Sequence, residues 1–428
     1  MKKAIISLIL VCFIVLGSAC RGGETTTVAD NDSSKPVSNL LIENEEPSEE
    51  KTILLSQGFL PKANVQKVSL DSSASKTGSF FSYELVKTAY SEKQNTLISP
   101  ISIMYALAMA QNGANGQTLK QLENAFGTDR NTLNVYLKSY LAALDENLSL
   151  NQSMWVNPQG EIKNSFLQTN ADYFDSEIYS TPMDSNSLYD MNKWVENKTD
   201  GEIKKAVDSI PPNTDIFLIN ATLFEAKWQT AYKDLHIREG NFNNIDSTIS
   251  KPKFLYSTEH TYLSGDGFSG FCKAYDGERF YFTALLPDEN SSLSELVSSL
   301  DGADFSKLIK NASYENVSAA IPEFQIDCRT DLIPILKKLD IEDAFDADKA
   351  DFSDMGGGEL YLAKALHNAS ITLDRSGTKA AGSTAIAGAT KGGYTQPKIV
   401  YLDRPFLYAI YDAQADMPIF IGTVTSLK

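Results

Sequence analysis

Residues 377–393 read GTKAAGSTAIAGATKGG, a ribbon of small side chains set between two stretches patterned for burial, residues 360–373 and 399–410. A long connection without structure of its own is uncommon inside a compact domain, and where one persists it is functional or unfolded. A plain linker would need only Gly and Ser. Here residues 378–386 are almost entirely Thr, Ala and Ser, with one Gly, no Pro and one charge, at Lys379. A proline would remove a ladder donor, and bulk would block entry between strands. The peptide reads as a strand held in reserve, exposed as a loop yet able to join a sheet.

The rest of the chain supplies such a sheet. Ile216–Phe224 is a near-continuous apolar and β-branched run, as expected for a central strand covered on both faces. Residues 278–287 and 317–326 alternate like strands, and residues 407–411 with 418–424 make a final pair. Residues 80–90 and 99–111 read as helices. In the second, Ser99 is placed to cap, Pro100 fits the first turn, and Ile101, Met104, Leu107 and Ala108 line one face. Residues 118–126 continue as a short helix ended by Gly127. Helices come first and strands gather late, without a βαβ rhythm, which is the α+β class.

The N-terminus stands apart. Lys2 and Lys3 precede an apolar run over residues 4–16, then Gly17-Ser18-Ala19-Cys20. The run is too short for a stable bilayer anchor and reads as an export signal over residues 1–19. Cys20 after Ser-Ala resembles a prokaryotic lipoprotein cleavage site, with lipid on Cys20; the alternative is plain secretion. Residues 21–51 carry eight acidic and three basic side chains and almost no aromatics, so an acidic, disordered tether is expected over residues 20–71 ahead of a domain at 72–428.

Charge and residue counts exclude several functions. Thirty-eight Lys plus Arg against 55 Asp plus Glu leave a formal charge of -17, which repels a nucleic-acid backbone. With three His, four Cys and no CxxC, HxxH or HExxH spacing, neither a metal site nor a cofactor is expected. Gly267-Phe268-Ser269-Gly270 has the wrong spacing for a nucleophile elbow, and residues 388–393 lack the order of a phosphate loop, so no catalytic residue is assigned. After export Cys272 and Cys328 are either a disulfide or two inert buried thiols.

Several motifs together resemble the serpin family. Residues 95–103 (NTLISPISI) look like its second helix entrance, residues 220–228 (NATLFEAKW) like its third central-sheet strand, and residues 402–408 (LDRPFLY) like its closing signature. Residues 373–386, with Gly377-Thr378 and Ala380-Ala381, are similar to the hinge of its reactive loop, and His367 precedes them in the same order. The resemblance implies helices packed around three β-sheets with a large central sheet. It also implies a suicide-substrate inhibitor of serine proteases. A target cleaves the loop, and the freed strand inserts before the acyl-enzyme is hydrolysed.

The same resemblance assigns roles. Gly377, Thr378, Lys379, Ala380, Ala381, Gly382, Ser383 and Thr384 form the hinge, of which Thr378, Ala380, Gly382 and Thr384 would point one way on insertion. Ser99, Ser102, Asn220 and His367 match a buried polar cluster, the shutter, where the central strands part. Trp228 matches the breach, the point of first insertion. Counting from Gly377 places the scissile bond at Lys391–Gly392, which suits a trypsin-like protease, with Thr390, Ala389 and Tyr394 as the alternatives. Arg375 and Lys379 stand where acidic residues are common in the family, and both are expected to face solvent. The expected partner is a target serine protease held covalently by a monomeric inhibitor, with a lipid anchor where Cys20 is modified. The competing reading is a non-inhibitory serpin, a binding or scaffold lipoprotein cleaved as an ordinary substrate.

Overall fold

The computed structural model describes residues 51–62, 65–71, 73–157, 161–174, 176–300, 302–357, 359–378 and 396–428. The reactive bond Lys391–Gly392, the hinge residues from Lys379 onward and Cys20 lie outside them. Three sheets are present among the described residues, with eight, nine and two strands.

The eight-stranded sheet carries the ribbon's first residues. Its order is Ile53–Leu54, Glu177–Ser180, Leu148–Val156, Ile216–Phe224 and Leu362–Leu373, with Gly377–Thr378 and Ala226–Lys227 at one end and Phe324–Asp331 beyond Leu362–Leu373. Ile216–Phe224 falls where its apolar run predicts. Period-two alternation splits its side chains between two cores. Phe217, Ile219 and Ala221 pack with Trp194 and Val195 of the helix Ser185–Lys198 on one face. Leu218 and Phe224 face the main core on the other, beside the helix Pro100–Gln111. Each large apolar side chain so buried contributes roughly 1.5–3 kcal/mol.

Pro100–Gln111 is buried along its whole length rather than on the one face that Ile101, Met104, Leu107 and Ala108 mark. Its sequence is small and apolar enough to pass between sheets. Ser99 stands at the N-cap but makes no side-chain cap hydrogen bond. The helix Gly116–Phe126 does end at Gly127, whose φ of 59° is left-handed.

The nine-stranded sheet contains Phe280–Pro287, Phe406–Asp412 and Met417–Val424, near the expected bounds. Residues 317–326, expected as one strand, straddle two. Ser313–Pro322 belongs to the nine-stranded sheet and Phe324–Asp331 to the eight-stranded one. Pro322 cannot continue the ladder as a donor, so the chain changes sheets there.

The expected tether is corrected at its C-terminal end. Residues 51–62 and 65–71 lie on the body: Ile53–Leu54 pairs with Glu177–Ser180, and Leu55, Phe59 and Leu70 pack on the main core. The Val68 amide donates to Ser139 Oγ at 2.9 Å. The acidic composition of residues 21–50 does not extend past Lys51, and the apolar side chains after it offset their ordering entropy.

A buried ion pair between Arg279 and Asp412, joined by Tyr140, ties the helix Arg130–Leu141 to the C-terminal strands. Asp412 Oδ2 accepts from Arg279 Nη2 at 2.8 Å, from Arg279 Nε at 3.1 Å and from Tyr140 Oη at 3.0 Å. Arg279 and Asp412 are 7% and 0% exposed, and without Asp412 the guanidinium keeps only the half-exposed Asp145, at 3.5 Å, as a carboxylate partner. Replacing Asp412 with Ala is expected to lower unfolding stability by about 3–5 kcal/mol, read as a lower guanidinium midpoint at unchanged slope.

Candidate functional site

The chain leaves Leu362–Leu373 through a tight turn that its own sequence builds. Asp374 Oδ1 accepts from the amides of Ser376 at 2.6 Å and Gly377 at 3.2 Å, and the Asp374 amide donates to the Gly377 carbonyl at 2.9 Å. Gly377–Thr378 then runs back antiparallel, with Thr378 opposite both Leu373 and Ala226. Gly377 is demanded by sterics as well as by its φ of 154°, since a Cβ there would lie 2.0 Å from the Ala226 carbonyl oxygen.

Trp228 holds this turn in place. Its Nε1 donates to the Asp374 carbonyl at 2.9 Å, its amide donates to the Ser376 carbonyl at 3.0 Å, and its ring stacks on Tyr275 at 4.4 Å. Tyr275 Oη in turn lies 2.7 Å from Thr378 Oγ1, and Thr378 is fully buried. Burial pushes the Tyr275 phenol pKa far above its ordinary value, so it stays protonated and available as a donor. Behind Trp228 the Lys273 ammonium sits 5.3 Å from the indole and 3.0 Å from Glu259. Arg375 is half-exposed and pairs with Asp234 at 2.6 Å. Lys379 lies outside the described residues.

Lower in the sheet, Ile216–Phe224 and Leu362–Leu373 pair directly and in parallel, with His367 opposite Asn220. The four polar residues named from the sequence meet there, in two chains. In one, the Ser99 amide donates to His367 Nε2 at 3.0 Å, which fixes the proton on Nδ1, and Nδ1–H donates to Asn220 Oδ1 at 2.6 Å. In the other, Gln152 Nε2 donates to Ser102 Oγ at 3.1 Å, and Thr222 Oγ1 donates to the same oxygen. Ser99 Oγ, Gln152 Oε1 and Asn220 Nδ2 are buried without a protein partner, a state that costs about 1–3 kcal/mol for each group.

Gln152, Thr222, Asp374 and Tyr275 were not read from the sequence. The first two were detectable as polar side chains inside otherwise apolar strands. Asp374 had the weaker signal of a carboxylate two and three residues before the amides it caps. Tyr275 had none, because it reaches the turn from the other sheet.

Cys272 and Cys328 are free thiols, and burial pushes Cys272 up to about 12, which suppresses its reactivity. No group of side chains able to hold a metal ion, and no helix long and apolar enough to cross a membrane, occurs among the described residues.

The geometry here is a two-residue strand, Gly377–Thr378, anchored at the head of a parallel strand pair. The family model described as Serpin (serine protease inhibitor) matches residues 76–427. The chain is a serpin. Curated relatives include neuroserpin of Gallus gallus, 26% identical over 356 residues that cover 78% of this chain and 86% of that one. Iripin-8 of Ixodes ricinus is 27% identical, covering 78% and 89%. Among solved structures, the thermophilic serpin tengpin in its native state is 36% identical with a TM-score of 0.84, covering 88% of this chain and 100% of that one. Tengpin in its latent state gives a TM-score of 0.75 at the same identity, covering 85% and 100%. The described arrangement therefore resembles the native form more than the latent one. The serpin fold, with helices and three sheets, is thus the fold of this chain.

The His367 cluster makes stability depend on pH. Burial pushes His367 down to about 3 from 6.5. Only the neutral ring can accept from the Ser99 amide, so its contribution is complete above the unfolded value near 6.5 and is lost as pH falls towards 3. Unfolding stability should decline on acidification below 6.5 by up to ~1.4 kcal/mol per pH unit. His367→Gln should flatten that slope in guanidinium titrations at stepped pH, and an unchanged slope in the variant would exclude this ring as its source.

Proposed function

We propose that this serpin is an inhibitor of trypsin-like serine proteases that acts as a suicide substrate, with Lys391–Gly392 as the reactive bond. The protease hydroxyl attacks the Lys391 carbonyl, the Gly392 amine leaves, and the ester that remains is the species to be trapped. The observation that carries the reading is the seating of Gly377–Thr378, antiparallel to strands on both sides. Each further rung of the same kind replaces one parallel pairing of Ile216–Phe224 with Leu362–Leu373 by two antiparallel ones. Parallel pairing is the weaker of the two, and each added backbone hydrogen bond is worth about 1 kcal/mol net.

The observed register also says what the inserting strand meets. Thr378 faces Leu373 and Ala226, so six residues on, Thr384 comes opposite His367 and Asn220. Its side chain falls on the same face as that of Thr378. Its hydroxyl would then offer the unpartnered Asn220 Nδ2 an acceptor. On this reading Ser99, Ser102, Asn220 and His367 are the shutter, Trp228 is the breach, and residues 377–384 are the hinge. On the same reading the protein is exported and acts as a monomer, either at the cell surface through lipid on Cys20 or secreted, and its partner is the protease rather than a nucleic acid.

Incubation with trypsin tests the proposal. A band at the summed mass that survives boiling in SDS is expected, with a new N-terminus at Gly392 by mass spectrometry. Clean nicking without that band would instead support the non-inhibitory reading. Thr384→Arg, which would bury a charge in the shutter, is expected to leave loop cleavage intact and abolish the covalent band.

A further inference from the structure

The largest cavity described, about 910 Å³, opens beside the hinge, outside the strand pair that the inhibitory reading uses. Its volume lies in the range of small-molecule sites. Both carboxylates on its wall are engaged, Glu259 by Lys273 at 3.0 Å and by Ser257 at 2.6 Å, and Glu278 by Gln229. Lys273 is spent as well: its side chain is 4% exposed and is enclosed by that carboxylate and the rings of Tyr232 and Trp228.

Arg238 differs. Its guanidinium lies over the Tyr256 ring at 5.3 Å, and among the described residues it has no carboxylate at ion-pair distance. Tyr256 meets Tyr401 edge to face at 5.7 Å, and Tyr401 Oη is fixed 3.1 Å from Ser318 Oγ, so the ring wall is ordered. In a chain of formal charge -17, an exposed arginine fork without an anion, flat on a tyrosine wall, is matched by a planar ring that carries its own carboxylate.

We propose that this cleft binds a small aromatic carboxylate, its ring against Tyr256 and Tyr401 and its carboxylate on Arg238. The same cleft is lined by Tyr232, whose amide donates to the Arg375 carbonyl at 3.1 Å and whose ring meets that of Trp228 edge to face at 6.4 Å, and the Trp228 amide donates to the Ser376 carbonyl. An occupied cleft therefore stiffens the backbone that anchors the hinge. Binding stands without the inhibitory reading, and only an effect of the ligand on loop insertion rests on it.

The test is a ligand-observed NMR titration of the full chain at neutral pH with 2-naphthoate. A dissociation constant on the order of 1 mM is expected for a ligand of this size. Arg238→Gln, and replacement of the probe by the neutral 2-naphthalenemethanol, should each weaken binding at least about tenfold, whereas Arg329→Gln, on the opposite sheet, should leave it unchanged. Absence of binding, or equal binding by Arg238→Gln, overturns the site. In the same samples, amide exchange across residues 228–232 and 375–378 should slow on binding, and binding without slowing overturns the link to the hinge. Neither readout uses a protease, so a chain that binds naphthoate but is merely nicked by trypsin sinks the inhibitory reading alone.

Discussion

The parallel contact between Ile216–Phe224 and Leu362–Leu373 is the constraint on which the rest of the molecule turns. Every other neighbour of these strands in the sheet is antiparallel: Leu148–Val156 on one side, Phe324–Asp331 on the other, and the short strand Gly377–Thr378 above. The parallel seam is thus weaker per rung than the antiparallel ladders that flank it on both sides. Polar side chains sit along it where apolar ones would pack without residual need. His367 is satisfied on both ring nitrogens, but Asn220 and Ser99 each keep a buried atom without a protein partner. The burial of such groups opposes the stability of the seam.

The upper end of the seam fixes the direction of any opening. Gly377–Thr378 already wedges the two strands apart, and the wedge is held by groups from both large sheets: Trp228 from the loop after Ala226–Lys227, and Tyr275 from the end of Phe268–Ala274. Neither contact involves an ion pair in the wedge itself, so salt would screen it little. The Lys273–Glu259 pair behind Trp228 is buried, and it stiffens the indole.

Legibility from sequence followed how far each signal depends on local chemistry. Ile216–Phe224 was readable to its bounds because a fully covered strand needs a continuous apolar run. The helix Ser73–Ala89 extends before its expected start at residue 80, because SASKTGS offers small polar residues with no apolar period to read. Ser99 looked like a cap, but its amide serves His367, which is 268 residues away in the chain. The resemblance singles out Gly377, while the reason a glycine stands there, the Ala226 carbonyl lying where a Cβ would go, is tertiary. The Trp228–Tyr275 stack belongs to the same class, since no pattern within either strand encodes its partner in another sheet.

Ile53–Leu54 pairs with the outer side of Glu177–Ser180 and is itself one border of the eight-stranded sheet, and at two residues it is so short that it gives an incoming strand almost no ladder. Among the described residues the opposite border is Phe324–Asp331, whose outward positions carry Gln325, Asp327 and Arg329. A sheet with two open borders can add copies without limit, whereas one with a single open border can join only one twin and then stops. Crowded molecules of this protein that met through that border would therefore halt at pairs instead of growing into fibres.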